Sequence, residues 1–259
     1  MSADAPYYRP VGDEVALFEH AQRLGQPLLL RGPTGCGKSR FVAYMAHKLG
    51  LPLVTVACHE DTSATDLLGR HLLRGGDTVW QDGPVTRAVR QGAILYLDEV
   101  AEARPDVIVA LHPLSDHRRE LYVDRLDEVV TAAPGFLLVA SYNPGYQHRL
   151  KELKPSTRQR FLGLRFDYPS AGIEQEIVQQ ESGVDASTAK RLVALARRLR
   201  SLDALGLAEV PSTRLLVETG RLIASGYEPR AAARAALVEP LSDDADVLQG
   251  VQDAVNLVF

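Results

Sequence analysis

Short apolar runs alternate with segments of helical apolar spacing along the first two thirds of the chain. Such alternation is typical of a parallel sheet whose strands are joined by crossover helices. The predicted strands are Leu28–Leu30, Leu53–Ala57, Ala93–Leu97, Phe136–Ala140 and Leu164–Phe166. The predicted helices lie near Val11–Leu24, Ser39–Leu49, Pro84–Gln91 and Pro105–Leu111. The pattern therefore predicts an α/β fold with a parallel five-stranded sheet flanked by helices.

The pattern changes near Tyr168-Pro169, after which only helical spacing is found. The helices predicted there are Ile173–Ser182, Ser187–Ser201, Pro211–Ser225, Pro229–Val238 and Asp244–Val258. One face of the second of these is predicted to be core, and it carries Ala189, Leu192, Val193, Ala196 and Leu199. Its basic cluster, Arg197, Arg198 and Arg200, is interpreted as a solvated face. We therefore predict two domains, an α/β domain of residues 1–168 and an all-α domain of residues 169–259.

Two segments interrupt the alternation in the first domain. Asp66–Gly83 contains glycine-rich turn sequences around short runs, and Asp116–Pro134 contains two runs that are able to pair. Each segment is predicted to form a hairpin-type insertion. Two interpretations stay open, surface decoration or protruding loops that contact another protein.

The segment between the first strand and the next helix carries the clearest chemistry. Residues Gly32 to Ser39 fit the phosphate-binding pattern G-x-x-x-x-G-K-[ST] at every fixed position. Backbone N–H groups are expected to surround phosphates, Lys38 to place a cation beside the outer two, and the Ser39 hydroxyl to bind Mg²⁺. The predicted nucleotide-binding residues are Gly32, Pro33, Thr34, Gly35, Cys36, Gly37, Lys38, Ser39 and Arg40.

An acidic pair, Asp98 and Glu99, follows the predicted strand Ala93–Leu97. On its own such a pair would be interpreted as a solvated strand end. Together with the phosphate loop, it predicts that Asp98 holds Mg²⁺ and that Glu99 activates the water that attacks the γ-phosphate. The chain has no N-K-x-D guanine-reading motif, and a nucleoside kinase needs no water-activating glutamate. The sequence therefore favours ATP hydrolysis.

Composition limits the remaining possibilities. The 259-residue chain is 46% hydrophobic, which suffices for a sizeable core. Its net charge is -4 without a basic block, so no nucleic acid is expected as a partner. The N-terminus lacks the features of a signal peptide, and no stretch reaches the roughly 20 apolar residues of a membrane span. With Cys36 and Cys58 interpreted as structural thiols of a reducing compartment, we predict a cytoplasmic protein without membrane insertion.

The phosphate loop, the acidic pair and the helical C-terminal region together resemble the AAA+ ATPases. The resemblance implies that Asn143, which follows the strand Phe136–Ala140, is the sensor 1 amide that helps to place the attacking water. It also implies that Arg160, rather than the alternative Arg158, is the arginine finger that acts on a neighbouring subunit. Arg214, at the start of a predicted helix, is similar to sensor 2. The implied assembly is a homo-hexamer. A surface ion pair is the alternative role for each arginine.

The two insertions are similar to those of the MoxR branch, and five segments resemble the CbbQ/NorQ/NirQ group. These are Pro6–Val15, Val56–Asp61, Trp80–Pro84, His112–Arg119 and Ser141–Gln147. The resemblance implies a partner with a von Willebrand factor A domain, similar to CbbO. It also implies Rubisco as the client, activated by release of inhibitory sugar phosphates; the alternative client is nitric oxide reductase. Two alternatives come from other classes, a non-hydrolysing ATP switch and a nucleic-acid loader.

Overall fold

A computed structural model of the protein describes residues 5–144, 153–201 and 210–259. These residues divide into two compact units. The first holds Gly12–Gly32 and Lys38–Phe166; the second holds Tyr7–Val11, Pro33–Gly37 and Asp167–Phe259. We call them the α/β unit and the helical unit. The division into domains at residue 168 stays a prediction.

Nine strands are described in the α/β unit, numbered in chain order. They are β1 (Leu28–Arg31), β2 (Leu53–Ala57), β3 (Gly69–Arg74), β4 (Asp77–Asp82), β5 (Ile94–Asp98), β6 (Glu120–Val123), β7 (Glu128–Thr131), β8 (Leu137–Tyr142) and β9 (Leu162–Arg165). The five predicted strands form one parallel sheet in the order β2-β5-β8-β1-β9. The predicted parallel sheet is therefore confirmed.

Six α-helices are described in the α/β unit. They are α1 (Glu14–Leu24), α2 (Lys38–Leu49), α3 (Ala64–Leu68), α4 (Pro84–Gln91), α5 (Pro105–Leu111) and α6 (Pro155–Arg158). Side chains of α4 and α5, such as Val89 and Val107, pack in one apolar core with Leu95 of β5 and Leu138 of β8. The central strands are buried because helices cover the sheet, as expected for a parallel sheet. None of the helices in the described parts of the chain is both long and apolar enough to cross a bilayer.

The two insertions are antiparallel hairpins, as predicted. Strands β3 and β4 pair from Gly69 opposite Asp82 to Arg74 opposite Asp77. Strands β6 and β7 pair in the same antiparallel sense. Leu73 on the first hairpin is 80% exposed. A short helix that we did not predict, α3, precedes this hairpin; its Ser63 cap forms reciprocal hydrogen bonds with Asp66.

The helical unit contains five described α-helices. They are α7 (Ala171–Ser182), α8 (Ala186–Arg200), α9 (Thr213–Ala224), α10 (Pro229–Ala233) and α11 (Ala245–Asn256). The predicted core residues of α8 are buried, with Leu192 and Val193 fully inaccessible. The predicted helix Pro229–Val238 changes to a π-helical turn at Arg234–Val238. Together with the sheet, these helices confirm the predicted fold class.

A buried ion pair ties three helices of the helical unit together. Glu174 of α7 is fully buried and accepts two hydrogen bonds from Arg200 of α8, at 2.8 and 2.9 Å. The Thr213 hydroxyl, at the start of α9, donates to the same carboxylate at 2.6 Å. Arg200 also lies 3.9 Å from the ring centroid of Tyr168 and donates to the Pro211 carbonyl. Our interpretation of Arg200 as part of a solvated face was therefore wrong.

We expect Glu174→Ala to lower the free energy of unfolding by about 3 kcal/mol, because it leaves the largely buried Arg200 guanidinium without its counter-ion. Urea denaturation followed by circular dichroism measures the change. Glu176→Ala is the matched control on the same helix, since the Glu176 pair with Arg9 is exposed and is worth less than about 1 kcal/mol. Equal losses in the two variants would contradict this prediction.

Candidate active site

The phosphate loop connects β1 to α2, and the sequence explains its path. Gly35 and Gly37 have φ values of 67° and 106°, a region that favours glycine. A Cβ atom at Gly35 would also lie 2.5 Å from Cβ of Ser212, the residue that caps α9. Only glycine is therefore compatible with this position. Because Gly35 and Ser212 both belong to the helical unit, the middle of the loop is fixed against the start of α9.

Lys38 begins α2 and keeps its ammonium at the loop. Its side chain is only 5% exposed, and Nζ donates to the Gly32 carbonyl at 2.7 Å. The same Nζ lies 4.0 Å from Oε1 of Glu99. The lysine therefore brings a positive charge to the point where the phosphate loop and the acidic pair meet in the α/β unit.

Glu99 has an unusual backbone for its residue type. It follows β5 with a φ of 52°, the left-handed region that non-glycine residues rarely adopt. Its carboxylate Oε2 accepts the Asn143 N–H at 3.2 Å. Burial raises the pKa of the Glu99 carboxyl, and the Lys38 ammonium opposes part of that effect. Backbone strain at a partly buried carboxylate is typical of a functional site.

Asp98 is the last residue of β5 and is surrounded by hydroxyl groups. Its Oδ2 accepts from Ser39 Oγ at 3.1 Å, and its Oδ1 accepts from Tyr96 Oη at 2.7 Å and from Ser141 Oγ at 2.6 Å. The Ser141 hydroxyl also accepts the Glu99 N–H at 3.1 Å. Asp98, Ser39 and Glu99 are thus held in one hydrogen-bond network.

Tyr96 and Ser141 also belong to this site, and neither was predicted from the sequence. Tyr96 lies two positions before Asp98, and residues two apart in a strand share a face. The spacing therefore indicated that Tyr96 lies on the same face of the strand as Asp98. Ser141 followed the predicted end of its strand at Ala140, whereas β8 continues to Tyr142. Its contact with Asp98 arises because β5 and β8 are neighbours in the sheet.

The two candidate finger arginines, Arg158 and Arg160, lie at the end of α6 and just after it. Arg160 follows α6, and its guanidinium is 3.6 Å from Asp116. Arg118 binds the same carboxylate and lowers the pKa of Asp116 to about 2. Arg158, the alternative finger, is exposed at the end of α6, and Arg40 is exposed on α2. The roles of these side chains stay predictions.

Arg214 is exposed in the first turn of α9. A Cβ atom at Gly35 would lie 3.3 Å from Cβ of Arg214, so the start of this helix adjoins the phosphate loop within the helical unit. This proximity is consistent with a role of the Arg214 side chain in binding phosphate. Its role as sensor 2 stays a prediction.

The residues present fit a nucleotide with Mg²⁺. Ser39 Oγ and Asp98 Oδ2 are adjacent oxygen ligands of the type that Mg²⁺ prefers, and Lys38 adds a cation. When bound, Mg²⁺ supplies charge neutralisation for phosphoryl transfer. Glu99, with its raised pKa, is a carboxylate suited to accept a proton from water, and Asn143 holds it in place. This fold and site define an AAA+ ATPase that uses ATP and Mg²⁺.

Comparison with known proteins specifies the family. The AAA domain of the dynein-related subfamily matches residues 27–161, and the CbbQ/NirQ/NorQ C-terminal domain matches residues 174–258. The chain belongs to the CbbQ/NirQ/NorQ family. The prediction that it resembles this group is confirmed.

Three relatives match over nearly their whole length. NorQ of Paracoccus denitrificans is 58% identical over 258 residues, covering 100% of this chain and 96% of the relative. The denitrification regulatory protein NirQ of Pseudomonas aeruginosa is 58% identical over 257 residues, 99% of each chain. CbbQ of Hydrogenophilus thermoluteolus is 56% identical over 254 residues, 98% of this chain and 95% of the relative.

Solved structures support the fold at low identity. A mutant of Thermotoga maritima RuvB has a TM-score of 0.56 at 15% identity, over 95% of this chain and 70% of that chain. A putative ATPase from Cytophaga hutchinsonii has a TM-score of 0.54 at 18% identity, over 93% and 80% of the two chains.

Proposed function

We propose that this ATPase works as a homo-hexameric ring that hydrolyses ATP with Glu99 as the water-activating base. The observation that carries the assignment is the contact set of Glu99, whose carboxylate lies 4.0 Å from the Lys38 ammonium and accepts the Asn143 N–H. Lys38 neutralises phosphate charge, Ser39 and Asp98 hold Mg²⁺, and Asn143 helps to place the water. Arg160 completes the site of a neighbouring subunit, and Arg214 contacts the nucleotide as sensor 2.

The ring acts in the cytoplasm with a partner that carries a von Willebrand factor A domain, similar to CbbO. The client is Rubisco, which the ring activates by releasing inhibitory sugar phosphates. The resemblance to CbbQ, together with 56% identity to one CbbQ protein, supports this client. The hairpin β3–β4 exposes two apolar side chains, Leu73 and Val79, and inserted hairpins of this kind are available for contact with another protein.

A second candidate client is nitric oxide reductase. The observation that favours it is the identity of 57% and 58% to two denitrification regulatory NirQ proteins. Both candidates share the same chemistry, because ATP hydrolysis in the ring drives activation of a large enzyme in each case. The client alone differs.

One pair of assays separates the clients. Rubisco inhibited by a bound sugar phosphate is incubated with the ring, the partner, ATP and Mg²⁺, and carboxylation is followed. In parallel, nitric oxide reductase isolated from cells that lack this chain is treated in the same way, and nitric oxide consumption is followed. Recovery of carboxylation alone supports the first candidate, whereas recovery of the reductase alone replaces it by the second. If neither recovers, the proposed role as an activator of these enzymes is wrong.

A further inference from the structure

The carboxylate of Asp98 is held asymmetrically. In the part of the chain that the structure describes, Oδ1 accepts from two hydroxyl groups, those of Tyr96 and Ser141, and Oδ2 accepts from that of Ser39. A carboxylate oxygen has two lone-pair sites, so two hydroxyl donors saturate Oδ1. The remaining capacity of the carboxylate to bind a cation therefore lies on Oδ2, next to the Ser39 hydroxyl.

The hydroxyl protons of Ser141 and Tyr96 are both available to Oδ1 of Asp98. Each hydroxyl has one proton to donate. Ser141 donates at 2.6 Å to Asp98 and uses its oxygen to accept the Glu99 N–H, so its hydrogen bonds have a fixed direction. Tyr96 donates to the same oxygen at 2.7 Å, a shorter distance than its 3.1 Å contact with Ser141. Both protons therefore point to Oδ1.

Tyr96 is well placed to act as a rigid support. The residue is 1% exposed in the central strand β5, and its hydroxyl also lies 3.2 Å from Ser39 Oγ. A buried ring in a central strand has little freedom to move its hydroxyl group. Tyr96 therefore adjoins both of the side chains assigned to the metal.

We propose that Tyr96 and Ser141 are positioning residues that fix Oδ1 of Asp98, so that Oδ2 and the Ser39 hydroxyl face the divalent cation together. Partners of this kind orient metal-binding carboxylates in many proteins, and their loss typically lowers metal affinity about 10- to 100-fold. The inference rests on the assignment of Ser39 and Asp98 as metal-binding residues in the proposed function.

The test uses Mn²⁺ as the probe, with the whole chain and a non-hydrolysable ATP analogue. Free Mn²⁺ is measured by electron paramagnetic resonance, and nucleotide affinity is measured separately in the presence of EDTA. We expect Tyr96→Phe to raise the half-saturating Mn²⁺ concentration about tenfold and to leave the metal-free nucleotide affinity unchanged. The variant keeps the buried ring, so only the hydroxyl group is lost.

Three further variants make the result decisive. Tyr122→Phe is the matched control, because its exposed hydroxyl contacts Glu120 on the hairpin β6–β7 and should leave Mn²⁺ binding unchanged. Ser141→Ala should weaken Mn²⁺ binding like Tyr96→Phe, and it decides the question if the tyrosine variant does not fold. The double variant should lose less Mn²⁺ affinity than the sum of the losses in the two single variants, because both hydroxyls act on Oδ1 of Asp98.

The outcomes separate this inference from the proposed function. If Asp98→Asn binds Mn²⁺ as well as the unmodified chain, the metal-site assignment itself is wrong. If Asp98→Asn loses Mn²⁺ while Tyr96→Phe and Ser141→Ala retain it, only the positioning role is overturned. Equal losses of Mn²⁺ affinity and metal-free nucleotide affinity in Tyr96→Phe also overturn it, because they indicate a general change in the fold.

Discussion

Glu99→Gln should lower the maximal rate of ATP hydrolysis about a thousandfold and leave ATP binding intact. The amide keeps the size of the side chain and is able to accept the Asn143 N–H, but it cannot take a proton from water. Steady-state phosphate release measures the rate, and equilibrium binding of a fluorescent ATP analogue measures affinity.

Glu102→Gln provides the matched control for this prediction. Glu102 lies three residues further on, in a short 3₁₀ helix, and its charge has only a minor effect on the pKa of Glu99. We expect its variant to hydrolyse ATP at a rate close to that of the unmodified chain. If the Glu99→Gln variant hydrolysed ATP at an undiminished rate, Glu99 would not be the base that activates water.

Arg160→Ala should lower the rate of ATP hydrolysis by about 10³- to 10⁵-fold in the assembled ring, the range known for arginine fingers. Arg158→Ala, two residues earlier, should have a small effect. Asp116 keeps its partner Arg118 in either variant, so the local fold is expected to persist. The reverse order of the two effects would assign the finger to Arg158.

Mixing two inactive variants tests whether the site is shared between subunits. A ring that contains both Glu99→Gln and Arg160→Ala subunits has some sites with an intact Glu99 from one subunit and an intact Arg160 from its neighbour. With random head-to-tail assembly, about a quarter of the sites are complete, and hydrolysis should return to roughly that fraction. No recovery in verified mixed rings would mean that Arg160 does not act on a neighbouring site.

The apolar pattern was sufficient to predict the strands of the sheet. The run Leu53–Ala57 coincides with β2, and Ala93–Leu97 is displaced by one residue from β5. Buried strands such as β5 need apolar residues on both faces, which makes them visible in a single sequence. The order of the strands was not predicted, because it depends on contacts between distant segments.

Residues of two local motifs were assigned to the site from the sequence, whereas residues whose contacts depend on the fold were missed. Lys38, Ser39, Asp98 and Glu99 belong to two short motifs, and the structure brings them together. The contribution of Ser141 depends on a neighbouring strand, 43 positions away from Asp98. Similarly, Arg200 was misinterpreted because its partner Glu174 is 26 positions away on another helix.

Tyr168 holds the phosphate loop through a hydrogen bond that persists at alkaline pH. Its hydroxyl donates to the Thr34 carbonyl at 3.1 Å, and its ring lies against the Arg200 guanidinium, all within the helical unit. Burial raises the pKa of Tyr168 to about 12 from an ordinary value of 10.0, so the phenol remains a donor where an exposed tyrosine has ionised. Its stabilising effect is therefore complete below pH 10 and is lost as the pH rises towards 12.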